Sequence, residues 1–155
     1  MGSAYLSDAF FMKWADDVSK ASTCCKIQVG SVLVREKRVL SLGYNGTPSG
    51  MSHCSDFFVG PRSREALGED EFMIMHRKFS DSHELHSESS CLTFAWRSGI
   101  TVDGATIYTQ YSPCFNCSKL IIQARLLRVV YRHVYDAEAI EFLKLAKIQV
   151  DQIKD

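Results

Sequence analysis

Apolar positions along this chain recur with two different periods. Over residues 5–22, Leu6, Ala9, Phe10, Trp14, Val18 and Ala21 fall at helical spacing, interrupted by Lys13, and predict an amphipathic helix that covers a core. Residues 29–34 (VGSVLV) predict a strand, residues 35–38 (REKR) a polar turn, and residues 39–44 (VLSLGY) the returning strand. So short a connection makes that pair antiparallel. The stretch Asn45-Gly46-Thr47-Pro48-Ser49-Gly50 is dense in turn formers. The roughly 35 residues that follow show only weak periodicity. A structureless connection of that length is uncommon, so this segment is expected to be functional or pinned by something.

From His86 to about Ser98, Cys91, Leu92, Ala95 and Trp96 share a helical face that Gly99 ends. Residues 105–110 predict a strand, Pro113 opens a helix that runs to about Ala124, and residues 128–131 predict a buried strand. Asp136 is the expected N-cap of a helix over 137–146, followed by a short strand over 148–150. The order α-β-β-α-β-α-β-α-β predicts an α/β class: a three-layer α/β/α sandwich around a central mixed five-stranded sheet, one domain over residues 1–155. No internal repeat or low-complexity run interrupts it.

Composition narrows the function classes. The net charge is zero, with 18 basic and 18 acidic residues, so no global field favours nucleic acid or an anionic membrane. No apolar run approaches a membrane span, and the N-terminus lacks the basic-then-apolar pattern of a signal peptide. Leu6 stands where a myristoylation signal requires Ser or Thr. The six cysteines (24, 25, 54, 91, 114 and 117) are therefore expected to be reduced thiols or metal ligands in a cytoplasmic protein rather than disulfides.

The chemistry gathers in two places, His86-Ser87-Glu88 and Pro113-Cys114-Phe115-Asn116-Cys117. Cys114 and Cys117, three apart on a helical first turn, point their sulfurs to one side. A helix N-terminus favours thiolates. With His86 they offer one nitrogen and two sulfurs, the ligand set of a catalytic zinc with its fourth position open to water. Zinc lowers the pKa of such a water to about 7, and Glu88, two residues beyond the His, is placed to take its proton and hand it on. A lone CxxC or a lone His is weak. The combination HxE…PCxxC, each half at a helix start with a strand between, is the signature of the zinc nucleobase deaminases.

At this point the chain resembles the zinc-dependent cytidine/deoxycytidylate deaminase superfamily, most closely its phage-like deoxycytidylate (dCMP) deaminase branch. The resemblance runs from about Ser22 to the C-terminus and rests on QVGSVLVREKRVLSLGYNGTPSG, HSESSCLTFAWRSG, GATIYTQYSPCFNCSKLIIQA and VVYRHVYD. It implies that His86, Cys114 and Cys117 bind zinc, and that Glu88 shuttles protons to N3 and to the leaving amine. It also implies that dCMP becomes dUMP, supplied for thymidylate synthesis. Asn45 is implied to contact the sugar, Thr47 to help hold phosphate, Ser87 to present its backbone N–H to the pyrimidine, and Tyr135 to line the pocket. Read from the residues alone, Asn45-Gly46 is equally a plain turn, and Tyr135 equally a core or interface aromatic. The chain departs from the family pattern at Ser87, usually Ala, and at Ser90-Cys91, often Asn-Ala.

The resemblance also implies a second, structural zinc. Cys24 or Cys25, Cys54, His76, and Glu84 or His83 have no other role. Relatives of the phage type hold such an ion where Cys24, Cys54, His76 and Glu84 fall, which would pin the insert at about 50–84. From the residues alone, a buried Cys24 and a solvated His76 explain them as well; Cys25 and Cys91 read as small core residues. Arg62, Arg64, Arg97 and Arg132 are candidates to meet the phosphate. The family further implies a homo-oligomer, a hexamer, with Phe94 and Arg97 facing neighbouring subunits, dCTP with Mg²⁺ as activator and dTTP as inhibitor, and the host-cell cytoplasm as location if the chain is phage-encoded. The rival readings are a deaminase of polynucleotides (tRNA adenosine or single-stranded DNA cytosine), a riboflavin-pathway or free-base deaminase, and a non-catalytic zinc-stabilised nucleotide sensor.

Overall fold

The computed structural model describes residues 6–154. Five strands, β1 (Gly30–Arg35), β2 (Arg38–Tyr44), β3 (Thr106–Tyr111), β4 (Arg128–His133) and β5 (Gln149–Gln152), form one sheet in the order β2-β1-β3-β4-β5. β1 runs antiparallel to both β2 and β3, whereas β3–β4 and β4–β5 are parallel, so the sheet is mixed as expected. Among the described residues seven helices accompany it: α1 (Asp8–Ser19), α2 (Cys54–Phe57), α3 (Arg64–Leu67), α4 (Glu69–His83), α5 (Ser87–Arg97), α6 (Phe115–Gln123) and α7 (Ala137–Leu145). The start at Tyr5 expected for the first helix lies outside the described residues; Ser7 caps α1 by accepting from the Phe10 N–H.

Alternation along the strands sorts the core into two layers. Val32, Val34, Tyr108 and Val130 pack with Phe11, Met12 and Ala15 of α1 on one face. Leu33, Ile107 and Val129 pack with Leu92 and Ala95 of α5, Ile121 of α6 and Leu143 of α7 on the other. Two glycines let helices sit directly on strands. A Cβ at Gly30 would lie 2.1 Å from the Ala15 carbonyl oxygen of α1, and one at Gly43 would lie 2.4 Å from the Ser87 carbonyl oxygen of α5. The second contact seats the start of α5 against the end of β2.

The segment after the turn-rich loop is not a loose connection. It holds α2, a 3-10 turn at Gly60–Arg62, α3 and the four-turn helix α4. It also has a satellite core of its own, in which Phe58, Phe72 and Phe79 surround Cys24 and Cys54. The α4 helix was not expected from the sequence. Its inward stripe is Phe72, His76 and Phe79, with a polar residue at the centre, while Ile74 beside it is 62% exposed. Both features blur the apolar period. Two helix starts also move relative to expectation: His86 and Cys114 are N-caps, and Pro113 lies ahead of α6 rather than in its first turn.

Half-buried arginines of β4 hold α1 to the sheet. Arg128 makes a bidentate pair with Asp8, at 2.8 and 2.7 Å, and donates to Asp151 at 2.6 Å. Arg132 makes a second bidentate pair with Asp16, at 2.7 and 3.0 Å. The Arg128 bonds hold Asp8 below the usual carboxylate range. For Asp16, burial pushes upward, but the Arg132 and Gln110 bonds outweigh it and the net shift is also downward. Depressed carboxylates stabilise the fold above their unfolded pKa and lose that contribution as pH falls through the folded value. An acid titration followed by far-UV circular dichroism is therefore expected to show stability falling from about pH 4 downward. Asp16→Asn should be less stable at neutral pH and flatter over that acid limb; an unchanged limb would contradict the pairing.

Candidate active site

The strand registers bring four segments to one end of the sheet. Gly30 at the start of β1 pairs with Tyr44 at the end of β2, Ser31 pairs with Thr109, and Tyr111 at the end of β3 pairs with His133 at the end of β4. The loop from Asn45, the turn carrying Cys114 and the turn carrying Tyr135 therefore leave the sheet side by side, where open α/β sheets bind ligands. A two-way backbone bridge between Gly46 and Leu85, at 3.1 and 2.8 Å, ties the first of these loops to the residue before His86. Ser112 accepts from the N–H groups of Tyr135 and Asp136 and so fixes the third against the second.

At this end His86 Nδ1 lies 3.4 Å from Cys114 Sγ and 3.7 Å from Cys117 Sγ. Ligand bonds of about 2.1 Å to nitrogen and 2.3 Å to sulfur at tetrahedral angles place N and S about 3.6 Å apart, so these three donors fit one zinc ion. Of the three, Cys114 alone already has the charge state of a zinc ligand; His86 and Cys117 hold protons that a bound cation would displace. The Cys114 thiol is drawn down to about 4, first by the Cys117 bond and, against burial, by His86. His86 is raised to about 9, first by Cys114, and Cys117 is pushed up, first by Cys114. The Cys117 N–H points at Cys114 Sγ at 3.5 Å, and Ser89 Oγ lies 3.3 Å from Cys117 Sγ. Both contacts orient the sulfurs from outside.

Glu88 is buried, and burial is the first cause of its raised pKa; the positive charge of His86 opposes it. A carboxyl whose pKa is moved upward in that way accepts and returns a proton more readily than an exposed one. Ser87 donates to Glu88 Oε2 at 3.1 Å, and its own oxygen lies 2.6 Å from Ser31 Oγ, with both serines fully buried. Ser31, Ser89 and Ser112 were not singled out from the sequence. A serine is too common for its identity to reveal a partner 56 or 28 positions away.

The other expected residues are placed as follows. Asn45 is buried and its amide is engaged by β1-side backbone: Oδ1 accepts from the Val29 N–H at 2.8 Å and Nδ2 donates to the Ile27 carbonyl at 2.9 Å. It shapes the loop whatever else it touches. Thr47 Oγ1 is buried with no hydrogen-bond partner, as expected of a group that meets a ligand. Tyr135 is 65% exposed at the rim, close enough to Cys114 that the thiolate, after burial, raises its phenol. Two of the arginines considered for phosphate are occupied elsewhere, Arg132 by Asp16 and Arg64 by a bidentate pair with Glu69. The Arg62 guanidinium lies over the Phe57 ring at 4.2 Å. A surface cavity of about 470 Å³ beside Trp96, Ile100 and Leu120 contains none of these residues.

A second group of donors forms under the insert. Ligand atoms of Cys24, Cys54, His76 and Glu84 lie within 4.8 Å of one another, with His76 Nε2 at 3.3 Å from Cys24 Sγ and 3.5 Å from Cys54 Sγ. These separations again match zinc. Glu84 Oε1 is buried without a partner, an orphaned anion-bearing atom that a cation would satisfy. His83, the alternative to Glu84, instead stacks on Phe79 at 4.7 Å. Cys25 is not the core residue expected: it is exposed, with its sulfur 3.4 Å from that of Cys54. Cys91 is fully buried as expected.

The chain belongs to the cytidine and deoxycytidylate deaminase family: that family's zinc-binding region matches residues 6–133. It is a deaminase with a Cys/His/Cys centre of the family's zinc-binding kind. Among curated relatives, the deoxycytidylate deaminase of Enterobacteria phage T4 is 32% identical over 142 residues, covering 77% of this chain and 74% of the phage protein. That of Saccharomyces cerevisiae is 37% identical over 147 residues, 94% of this chain but 44% of the yeast protein. Among solved structures, the dCMP deaminase of cyanophage S-TIM5 in complex with dCMP and dUMP superposes with a TM-score of 0.78 at 28% identity, covering 99% of this chain and all of that one. Among the described residues no helix is long and apolar enough to cross a membrane.

Proposed function

We propose that this chain hydrolyses dCMP to dUMP and ammonia, with His86, Cys114 and Cys117 holding a catalytic zinc and Glu88 moving the protons. The observation that carries the reading is a buried carboxyl two residues from one donor of a three-donor centre. A purely structural centre has no use for it. Zinc, when bound there, supplies a Lewis acid and a water acidified to a pKa of about 7. Glu88 takes a proton as water adds to C4 of the cytosine and delivers it to N3, then protonates the departing amine. Ser87, anchored by Ser31, holds the carboxyl in place, while its backbone N–H faces the pyrimidine. Thr47 and the Asn45 loop meet the sugar and phosphate, and Tyr135 closes the rim.

The same reading extends to Cys24, Cys54, His76 and Glu84 as ligands of a structural zinc that pins the insert over about 50–84 of a single domain. It extends further to a cytoplasmic homohexamer that supplies dUMP for thymidylate synthesis, activated by dCTP with Mg²⁺ and inhibited by dTTP. Phe94, 56% exposed on α5, and the exposed Arg97 three residues on give an outer face suited to subunit contact. The test is ammonia release from dCMP, 5-methyl- and 5-hydroxymethyl-dCMP, CMP, deoxycytidine and a tRNA stem-loop, each with and without dCTP. The expected result is turnover of dCMP that rises with dCTP and falls with dTTP. A hyperbolic dCMP curve blind to both effectors would remove the regulation. Turnover of the stem-loop alone would move the substrate to polynucleotides, and no ammonia from any substrate would leave only a sensor.

A further inference from the structure

The donor group under the insert contains one sulfur more than a tetrahedral metal needs. The ligand atoms of Cys24, Cys54, His76 and Glu84 lie within 4.8 Å of one another, and Cys25 is not among them. Cys25 is exposed, whereas Cys24 and Cys54 are buried. Its sulfur nevertheless lies 3.4 Å from Cys54 Sγ. The two segments cannot drift apart, because the Ser55 N–H donates to the Thr23 carbonyl at 3.2 Å, directly beside both cysteines. One accessible thiol is thus held against a thiol that the centre uses, with about 1.4 Å of closure left before a disulfide bond of about 2.0 Å.

We propose that Cys25 is an oxidation site: a hydroperoxide oxidises it, it pairs with Cys54 as a disulfide, and the second metal is released. The proposal rests on the second-zinc reading for the release and on geometry alone for the disulfide. With hydrogen peroxide, the Cys25 sulfur attacks one peroxide oxygen, forming an S–O bond as the O–O bond breaks, and the hydroxide that leaves takes up the thiol's proton as water. The Cys54 sulfur then attacks the Cys25 sulfur; the S–S bond forms, the S–O bond breaks, and the departing hydroxide takes up a proton as a second water. Each sulfur loses one electron and the peroxide gains both. The Cys54 lone pair that served the metal is consumed, so three donors remain. A dithiol reductant reverses the step.

The test treats the holoenzyme with hydrogen peroxide while a chromogenic chelator reads zinc release, followed by non-reducing tryptic mapping. Cleavage places Cys24 and Cys25 in the peptide 21–26 and Cys54 in the peptide 39–62, and fragmentation between the two adjacent cysteines assigns the partner. The expected result is a Cys25–Cys54 link reversed by dithiothreitol, with zinc released in step. Cys25→Ser should release zinc about tenfold more slowly or worse at equal peroxide, while Cys91→Ser should behave as wild type. A wild-type protein that gives no link, or a Cys24–Cys54 link instead, overturns the proposal whatever its metal content. Release from Cys25→Ser at the wild-type rate overturns the coupling. A protein with one zinc per chain that still gives the Cys25–Cys54 link keeps the oxidation site and overturns the second-zinc reading.

Discussion

Replacing Glu88 with Gln is expected to lower kcat for dCMP by about 10³-fold or more, on the order of 4 kcal/mol of barrier, while the zinc content stays at the wild-type value. Gln keeps the volume and one acceptor oxygen, so the Ser87 bond at 3.1 Å survives. What it lacks is a site for the travelling proton. Folding should not suffer. Burial already raises the Glu88 carboxyl toward its neutral form, so a permanently neutral side chain costs little there. Unchanged metal by elemental analysis and an unchanged melting temperature would therefore accompany the loss of turnover. Ser87→Ala is the contrasting variant. It removes the hydroxyl's bonds to Glu88 and Ser31 but leaves the proton carrier in place, and should cost about tenfold at most. Were Glu88→Gln to keep kcat within tenfold, or to lose its zinc, Glu88 would be something other than the proton carrier.

The parts of this molecule that could be read from its sequence are those set by local periods. Val32 and Val34 against Leu33, and Tyr108 against Ile107, alternate between the two core layers as a strand buried on both faces must. Asp136 accepts from the Ala139 N–H because a short acceptor before an apolar helical stretch has little else to do. The donor residues His86, Cys114 and Cys117 were also legible, because HxE and PCxxC at helix starts are rare in combination, whereas Cys24, Cys54, His76 and Glu84 followed only from the family resemblance. What escaped was set by tertiary partners. The α4 helix hides because its core-facing stripe carries His76, which stacks on Phe58 at 5.4 Å and aims Nε2 at two sulfurs. A polar residue at the centre of a buried stripe reads as no stripe at all. Cys24 and Cys25 are adjacent, and nothing in their order tells which turns inward. Ser31 becomes meaningful only once β1 and α5 are packed closely enough to put its hydroxyl 2.6 Å from that of Ser87.

Alanine at Cys54 and alanine at Cys117 are expected to remove one zinc each and to fail in opposite ways. Cys117 sits at the sheet end beside Glu88, on a helix whose inner face is already packed by Ile121. Its loss should abolish deamination, with a modest cost to the melting temperature from the lost buried side chain. Cys54 opens α2 and sits in a small core of aromatic rings that surrounds the second donor group and connects to the sheet through few elements. A core of that size holds little folding free energy by itself, so the metal there would act as the clasp. Losing one of its four donors should cost about 3–4 kcal/mol, which for a domain of this size is a fall of about 10 °C in melting temperature. Because Gly46 and Leu85 bind each other across the insert's boundary, the loosened segment should also carry the Asn45–Thr47 loop away from its position. That appears as a raised KM with kcat largely kept, the reverse of Cys117→Ala. Scanning calorimetry, elemental analysis and steady-state kinetics on the two variants separate the cases. Two zinc ions per chain in Cys54→Ala with an unshifted melting curve would show that the rings alone hold the insert.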